Sequence, residues 1–270
     1  MVPVARPLPP GARPRPDEQW RLCLSVLRRR DPALPAGAQG AGGASWCDAG
    51  NPFRPVGLNA AMPGLAQLPM YDWPEVRAGT DALWAAIAAN LAALGIDAPD
   101  RLDRTTPAGD AWISPDLLVG QTCGRPYVNG LAGRVALLGR PTYDAAGAGP
   151  GRYCSILVAR STDGRARLDD FRAAAAGCNG ETSQSGWAAL IDSLPDGETL
   201  DGFFGAVRFT GTHRGSIRAV AGGTADIAAI DCVAWALALR HEPAAGDLKE
   251  IDRSPDYPSL PFIPGIRRRS

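Results

Sequence analysis

The sequence predicts an α/β protein in which a parallel or mixed sheet carries helices on its faces. Three observations lead there. From Met62 onward, short apolar runs alternate with segments whose apolar residues recur at helical spacing. Gly and Pro stand where these runs end. The composition, 45% hydrophobic and 21% charged over 270 residues, belongs to a chain that buries a core, and the length suits one or two domains.

Taken in order, residues 65–70 read as the first strand. Pro74, in the Trp73-Pro74-Glu75 turn, suits the opening of a helix that runs to about Leu94, where Gly95 stops it. A short strand at 117–120 leads into Gln121-Thr122-Cys123-Gly124, and another at 135–138 precedes Arg140-Pro141-Thr142-Tyr143-Asp144. The Gly-rich stretch 145–151 comes before a strand at 153–159. Beyond it the pattern predicts a short helix at 168–171, a strand at 173–179 and a helix at 185–191. A strand at 206–209 and a helix at 216–221 follow, the latter ended by Gly222-Gly223. A buried strand at 227–230, a helix at 233–239 and a last strand at 248–251 complete the series. The Pro-rich tail, 255–264, is predicted extended, because each Pro fixes its own φ and removes a donor.

Residues 1–60 have a different texture, with Pro at 7, 9, 10, 14 and 16, the run Arg28-Arg29-Arg30 and a Gly/Ala stretch at 36–44. Such a segment buries too little apolar surface to offset its chain entropy, so a disordered extension is expected, with a short helix at 20–27 at most. The globular part is then 62–270.

Charge and cysteine usage narrow the function classes. Basic and acidic residues balance at 28 each, which leaves no global positive field to draw nucleic acid or anionic lipid. The basic residues are nearly all Arg, Lys249 being the single Lys, a bias that codon usage explains. No apolar stretch approaches the ~18 residues of a membrane span, so membrane insertion is not expected. The start, Met1-Val2-Pro3-Val4-Ala5-Arg6-Pro7, lacks the apolar segment and cleavage site of a secretory signal. Six Cys (23, 47, 123, 154, 178 and 232) form no CxxC pair. Free thiols, no metal site and no cofactor are therefore expected, with Cys154 and Cys178 acting as small buried hydrophobes.

Candidate chemistry sits at three strand-to-helix junctions, because ligands of open α/β sheets bind outside the carboxyl ends of strands. The first is Asn179-Gly180-Glu181-Thr182-Ser183-Gln184-Ser185-Gly186. A helix N-terminus there offers unpaired N–H donors and a partial positive charge, Ser183 and Ser185 add hydroxyls, and Gly186 permits close approach. An ordinary N-cap would need only one of these. The second, Thr210-Gly211-Thr212-His213-Arg214-Gly215-Ser216, supplies His213 as a donor or base, or as a capping or packing side chain. Arg214 reads as an anion clamp or a surface charge. The third, Ala225-Asp226-Ile227-Ala228-Ala229-Ile230-Asp231-Cys232, ends a strand in Asp231, which can face a cleft, cap the next helix, or both. Asp226, at the other end of that strand, reads as structural. Ser185, His213 and Asp231 together also admit a nucleophile–base–orienter reading of the hydrolase kind, although Ser185 sits in no GxSxG elbow.

Five segments in order carry a resemblance. They are Leu68-Pro69-Met70-Tyr71-Asp72-Trp73-Pro74-Glu75, Asp116-Leu117-Leu118-Val119-Gly120-Gln121-Thr122-Cys123-Gly124, Ser183-Gln184-Ser185-Gly186-Trp187, Thr210-Gly211-Thr212-His213-Arg214, and residues 225–231. Together they resemble the phosphate/phosphite/phosphonate substrate-binding proteins of ABC transporters, the PhnD-like family, from about Leu65 to Phe262. The resemblance implies the two-lobed type II periplasmic-binding-protein fold, with a central ligand cleft and two interlobe crossovers. It implies hinges near 145–159 and 232–248, with lobe 1 at about 62–145 plus 240–270 and lobe 2 at about 152–235.

Carried over by position, the resemblance puts the anion-binding loop on Ser183, Gln184 and Ser185, the cleft His on His213 and the cleft carboxylate on Asp231. Tyr71 would close the site from lobe 1, with Gln121 and Thr122 beside it. It implies non-catalytic binding of a phosphorus oxyanion, an ABC permease as partner and a monomer. An enzyme on the same fold, a hydrolase or a cofactor-biosynthesis relative, is the alternative. Asp231 refines the ligand: a carboxylate repels a fully ionised oxyanion but accepts from a protonated P–OH or a ligand amine, which sulfate and sulfonate lack near neutral pH. The resemblance implies a periplasmic location, and the absence of a visible signal segment admits a cytoplasmic relative.

Overall fold

The computed structural model describes residues 64–266. The expected extension at 1–60 and its helix at 20–27 lie outside the described residues. The chain forms a three-stranded and a five-stranded sheet, joined by a short two-stranded ribbon.

The smaller lobe is built on β1 (Leu65–Gln67), β2 (Leu117–Gln121) and β10 (Phe262–Ile263), in the order β1-β2-β10. β1 runs parallel to β2 and β10 antiparallel to it. Pro74 opens a 3-10 turn, Pro74–Val76, which leads into α1 (Arg77–Ala93), and Gly95 follows at φ 73°, a left-handed conformation that favours glycine. α1 buries Leu83 and Trp84 against Leu68 and Val119. α2 (Ala108–Ile113) precedes β2. After β2, α3 (Gly124–Pro126) continues as a π-helical turn, Tyr127–Leu131.

The five-stranded sheet has β4 (Ser155–Arg160), β5 (Ala175–Cys178), β6 (Ala206–Phe209), β7 (Ile227–Asp231) and β8 (Leu248–Arg253), in the order β6-β5-β7-β4-β8. β5, β6 and β7 are parallel, and β4 is antiparallel to both β7 and β8. Strand alternation sends side chains to two cores. Ile156, Val158, Ala228 and Ile230 face the side covered by α6 (His213–Ala221) and α7 (Cys232–His241). Leu157, Ala159, Ile227 and Ala229 face Phe171, Leu190 and Phe203, which come from the 3-10 turn Leu168–Phe171, α4 (Ala189–Ser193) and α5 (Leu200–Phe203). Burial on both faces is why β7 is apolar from Ile227 to Ile230 rather than alternating. At its start Asp226 bonds Arg160 at 2.7 Å and accepts the Ala175 N–H at 2.9 Å, the structural role expected of it.

Three expectations are corrected. Residues 135–138 form no strand: Val135 bridges only Ala132, and the segment meets β10 only at its end, where Gly139 pairs with Phe262. The strand expected at 153–159 is broken at Cys154. β3 (Arg152–Tyr153) pairs with β9 (Tyr257–Pro258) in the ribbon, and β4 begins only at Ser155. The second crossing is not at 232–248, since α7 packs in the core beneath the large sheet and β8 fills the free edge of β4. The chain returns to the smaller lobe through β9, so the part of 240–270 up to Arg253 belongs with the larger sheet.

Candidate functional site

The three junctions singled out in the sequence lie side by side at the carboxyl ends of the parallel strands β5, β7 and β6. In each, a side chain caps the helix that follows. Ser183 caps a helix that begins as a π-turn, Gln184–Ala188, and continues as α4, with its Oγ accepting the Gly186 N–H at 2.9 Å. Thr212 caps α6 by accepting the Gly215 N–H at 2.9 Å. Asp231 caps α7, with Oδ1 accepting from the N–H groups of Val233 at 2.8 Å and Ala234 at 3.2 Å. Parallel strands that feed capped helices gather three positive dipole ends at one edge of the sheet.

The smaller lobe meets that edge. Tyr71, in the loop after β1, donates its hydroxyl to Asp231 Oδ2 at 2.8 Å, both residues being buried. Burial pushes the Asp231 carboxyl up to about 6, although the Tyr71, Ala234 and Val233 hydrogen bonds oppose the shift. Burial and the facing carboxyl push the Tyr71 phenol up in turn. Gln121 donates to the Tyr143 hydroxyl at 2.6 Å, and Tyr143 stands edge-on to Tyr71 with ring centroids 5.0 Å apart. Thr122 is fully buried next to it. Two cavities of about 10 Å³, each room for about one water, share Tyr71 and Tyr143 in their walls.

His213 and Ser185 form the second pair, with Ser185 Oγ 2.8 Å from His213 Nε2. Burial holds the imidazole down at about 4, so it is neutral at pH 7. Its Nδ1 is buried with no hydrogen-bond partner among the described residues. The hydrolase arrangement is therefore not assembled: both Asp231 oxygens are engaged by Tyr71 and the α7 N-terminus, and none of these bonds reaches His213.

Cys123, at the start of the 124–131 helical segment, lies where the lobes converge. Burial raises its thiol, and the backbone N–H groups of Gln184, Arg125 and Gly124 bear on the sulfur and partly offset that rise. The two helix starts are close, since a Cβ at Gly124 would lie 3.9 Å from Gln184 Cγ. Arg214 does not join them. It pairs with Glu75 at 2.7 Å and Glu242 at 2.8 Å, lies 4.4 Å above the Trp73 ring, and so ties α6 to the smaller lobe.

The expected residues thus fall into linked groups: Tyr71 with Asp231, Gln121 with Tyr143, Ser185 with His213, and Ser183 and Gln184 at a helix start close to Gly124. Sequence reasoning missed Tyr143, Cys123 and Asn179. Asn179 has a buried Oδ1 without a partner among the described residues, and it closes over Gly186. The signal was there, since Asn179 opens the first junction, Cys123 follows Thr122 and Tyr143 lies in the run after 135–138, but no local pattern gave any of them a role. Among the described residues, no group of His, Cys, Asp and Glu could hold a metal ion, and no helix is long and apolar enough to cross a membrane.

Comparison with known proteins bears on the family and the fold. A family model described as ABC transporter, phosphonate, periplasmic substrate-binding protein matches residues 119–265, just over half of the chain. Among solved structures, a binding protein component of an ABC phosphonate transporter from Pseudomonas aeruginosa is 16% identical. It aligns over 76% of this chain and 69% of its own, with a TM-score of 0.56. PhnD1 from Prochlorococcus marinus, solved with methylphosphonate, is 14% identical over 75% of each chain, also with a TM-score of 0.56. A Xanthomonas citri protein bound to chloride ion is 13% identical over 74% of this chain and 76% of its own, at 0.50. These likenesses establish the two-lobed periplasmic-binding-protein fold. No curated protein sequence matches.

Proposed function

The chain belongs to the phosphonate periplasmic substrate-binding proteins of ABC transporters, and from that premise we propose that it binds phosphate, phosphite or a phosphonate between its lobes without transforming it. The observation that carries this reading is the gathering of three capped helix starts, at Ser183, Thr212 and Asp231, against Tyr71 of the smaller lobe, whose hydroxyl reaches Asp231 at 2.8 Å. Anions are held in this way by backbone donors and helix dipoles. Ser183, Gln184, Ser185 and the neutral His213 contact the oxyanion from the larger lobe, and Tyr71, Gln121 and Thr122 contact it from the smaller.

Asp231 selects for phosphorus. Its carboxyl, raised to about 6 by burial, accepts from a P–OH or a ligand amine and repels an oxyanion that carries no proton. The physiological partner is an ABC permease, the location is periplasmic, as in the family, and the chain acts as a monomer. A thermal-shift titration of the full chain with phosphate, phosphite, methylphosphonate, 2-aminoethylphosphonate and sulfate tests the proposal. A ligand at ~100 times its Kd stabilises the folded state by ~2.7 kcal/mol. A rise in Tm with at least one phosphorus ligand and none with sulfate is expected; no rise with any phosphorus ligand would overturn the reading.

A further inference from the structure

Cys154 and Cys232 stand opposite one another as buried free thiols. The ladder between β4 and β7 sets Ser155 against Asp231. It carries on by one position beyond both strands, where the Cys232 N–H donates to the Cys154 carbonyl at 3.0 Å. Antiparallel residues that face each other across such a bond have Cα atoms about 5.5 Å apart and side chains on the same face of the sheet. That face is the core shared with Ile156 and Ile230. The separation lies inside the range of about 4.4–6.8 Å that a disulfide bridges. Gly147 locates the side chains further: a Cβ there would lie 2.7 Å from Cys154 Sγ and 3.5 Å from Cys232 Cβ. Both cysteines therefore meet at one spot beneath the Gly-rich segment 145–151.

A buried cysteine ordinarily acts as a small hydrophobe, and Cys178 is one. It lies in the other core, and its thiol meets the Gly180 carbonyl at 3.6 Å. Two cysteines in register on paired strands can do more, and their surroundings give them different parts. Arg253 reaches the same spot, with a guanidinium nitrogen 3.6 Å from where the Gly147 Cβ would be. It draws the Cys154 thiol down against the rise that burial imposes. Burial first, and Asp231 second, push the Cys232 thiol up to about 12. Cys154 is thus the easier of the two to ionise and the first to react.

We propose that Cys154 and Cys232 form a disulfide when the chain folds in an oxidising compartment, fastening the start of β4 to the N-terminus of α7. The oxidant is a small-molecule disulfide. The Cys154 thiolate attacks one of its sulfurs, which releases one thiolate and leaves a mixed disulfide. The Cys232 thiolate then attacks Cys154 Sγ and expels the second. The two cysteines lose two electrons and two protons, and the oxidant takes them up as two thiols. The exchange takes place before segment 145–151 covers the sulfurs. Cys154 stands where the chain leaves the interlobe ribbon, and Cys232 follows Asp231. The bond therefore fixes the ribbon to the larger lobe beside the cleft, whichever ligand the cleft takes.

The test refolds the full-length wild type, Cys232→Ala and Cys178→Ala with oxidised glutathione, and again with excess dithiothreitol. Each sample is read by tryptic peptide mapping without reduction and by Tm. The two cysteines fall on separate tryptic peptides, 153–160 and 219–240. The oxidised wild type should yield these peptides joined, with a Tm about 10 °C above that of the reduced chain, the gain expected from closing a long loop. Cys178→Ala should do the same, and Cys232→Ala should lose both the joined peptides and the gain in Tm. Free thiols on both peptides of the oxidised wild type overturn the proposal. So does a gain in Tm that survives in Cys232→Ala, since it would belong to another pair. Should Cys232→Ala fail to fold, the wild-type map still decides between joined and free.

Discussion

The hydroxyl of Tyr71 and the carboxylate of Asp231, 160 positions apart in the chain, meet at 2.8 Å and join the two lobes. Asp231 holds the α7 N-terminus with its other oxygen, so one carboxylate serves the helix cap and the lobe contact together. Tyr71→Phe keeps the edge-on packing against Tyr143 but strips a donor from a buried acceptor. Stability should fall by about 1–3 kcal/mol, read from urea unfolding at pH 7, and the Asp231 carboxyl should titrate still higher. A variant as stable as the wild type would contradict the role given to this bond.

Asp231 and His213 should impose opposite pH dependences. The Asp231 carboxyl titrates at about 6 in the folded chain and 3.8 ordinarily. Its contribution is therefore fully present below pH 4 and is lost as pH rises through 6. His213 titrates at about 4 in the folded chain and 6.5 ordinarily. Its contribution is present above pH 6.5 and is lost as pH falls through 4. Each effect is on the order of 3 kcal/mol, and in the wild type the two largely offset each other. Asp231→Asn should leave the His213 slope, with stability falling from pH 6.5 to 4. His213→Gln should leave the Asp231 slope, with stability falling from pH 4 to 6. Matching pH profiles in both variants would contradict the assignment.

Arg214→Met should release the contact between α6 and the smaller lobe. Glu242, whose side chain is 5% exposed, would keep Arg218 alone as its cationic partner, and Glu75 would lose its bidentate clamp. A loss of about 1–2 kcal/mol is expected, together with a larger radius of gyration in small-angle scattering. An unchanged scattering profile would show that other contacts hold the lobes.

The glycines at the site should rank in a definite order. A Cβ at Gly215 would collide with the Thr210 carbonyl, and one at Gly186 with Asn179 Oδ1. Backbone cannot yield as a side-chain tip can, so Gly215→Ala should cost about 2–3 kcal/mol and Gly186→Ala less. The reverse order in thermal unfolding would contradict the packing at these helix starts.

The larger sheet was legible because β4 and β7 are continuous apolar runs, and because β5 and β6 are each followed by Ser, Thr and Gly at a helix start. α2, α3 and α5, at three to six residues, are too short to display a helical period. The run Val135-Ala136-Leu137-Leu138 looked like a strand, but β10 is only two residues long and offers it a single bridge, Gly139 to Phe262. The capped junctions at Ser183, Thr212 and Asp231 could be read locally. The meetings of Tyr71 with Asp231 and of Cys123 with Gln184 could not, since they depend on how two lobes close and not on spacing within either. The resemblance to a family, rather than periodicity, supplied Tyr71, Gln121 and Thr122.

On the proposed function, the site recognises an oxyanion that carries a proton to donate to Asp231. Calorimetric titration of the full chain with methylphosphonate and with methanesulfonate, at the same pH and salt, tests it most directly because the two differ at the P–OH. Saturable binding of methylphosphonate with none of methanesulfonate is the predicted result. Equal binding of the two, or binding of neither, would contradict it.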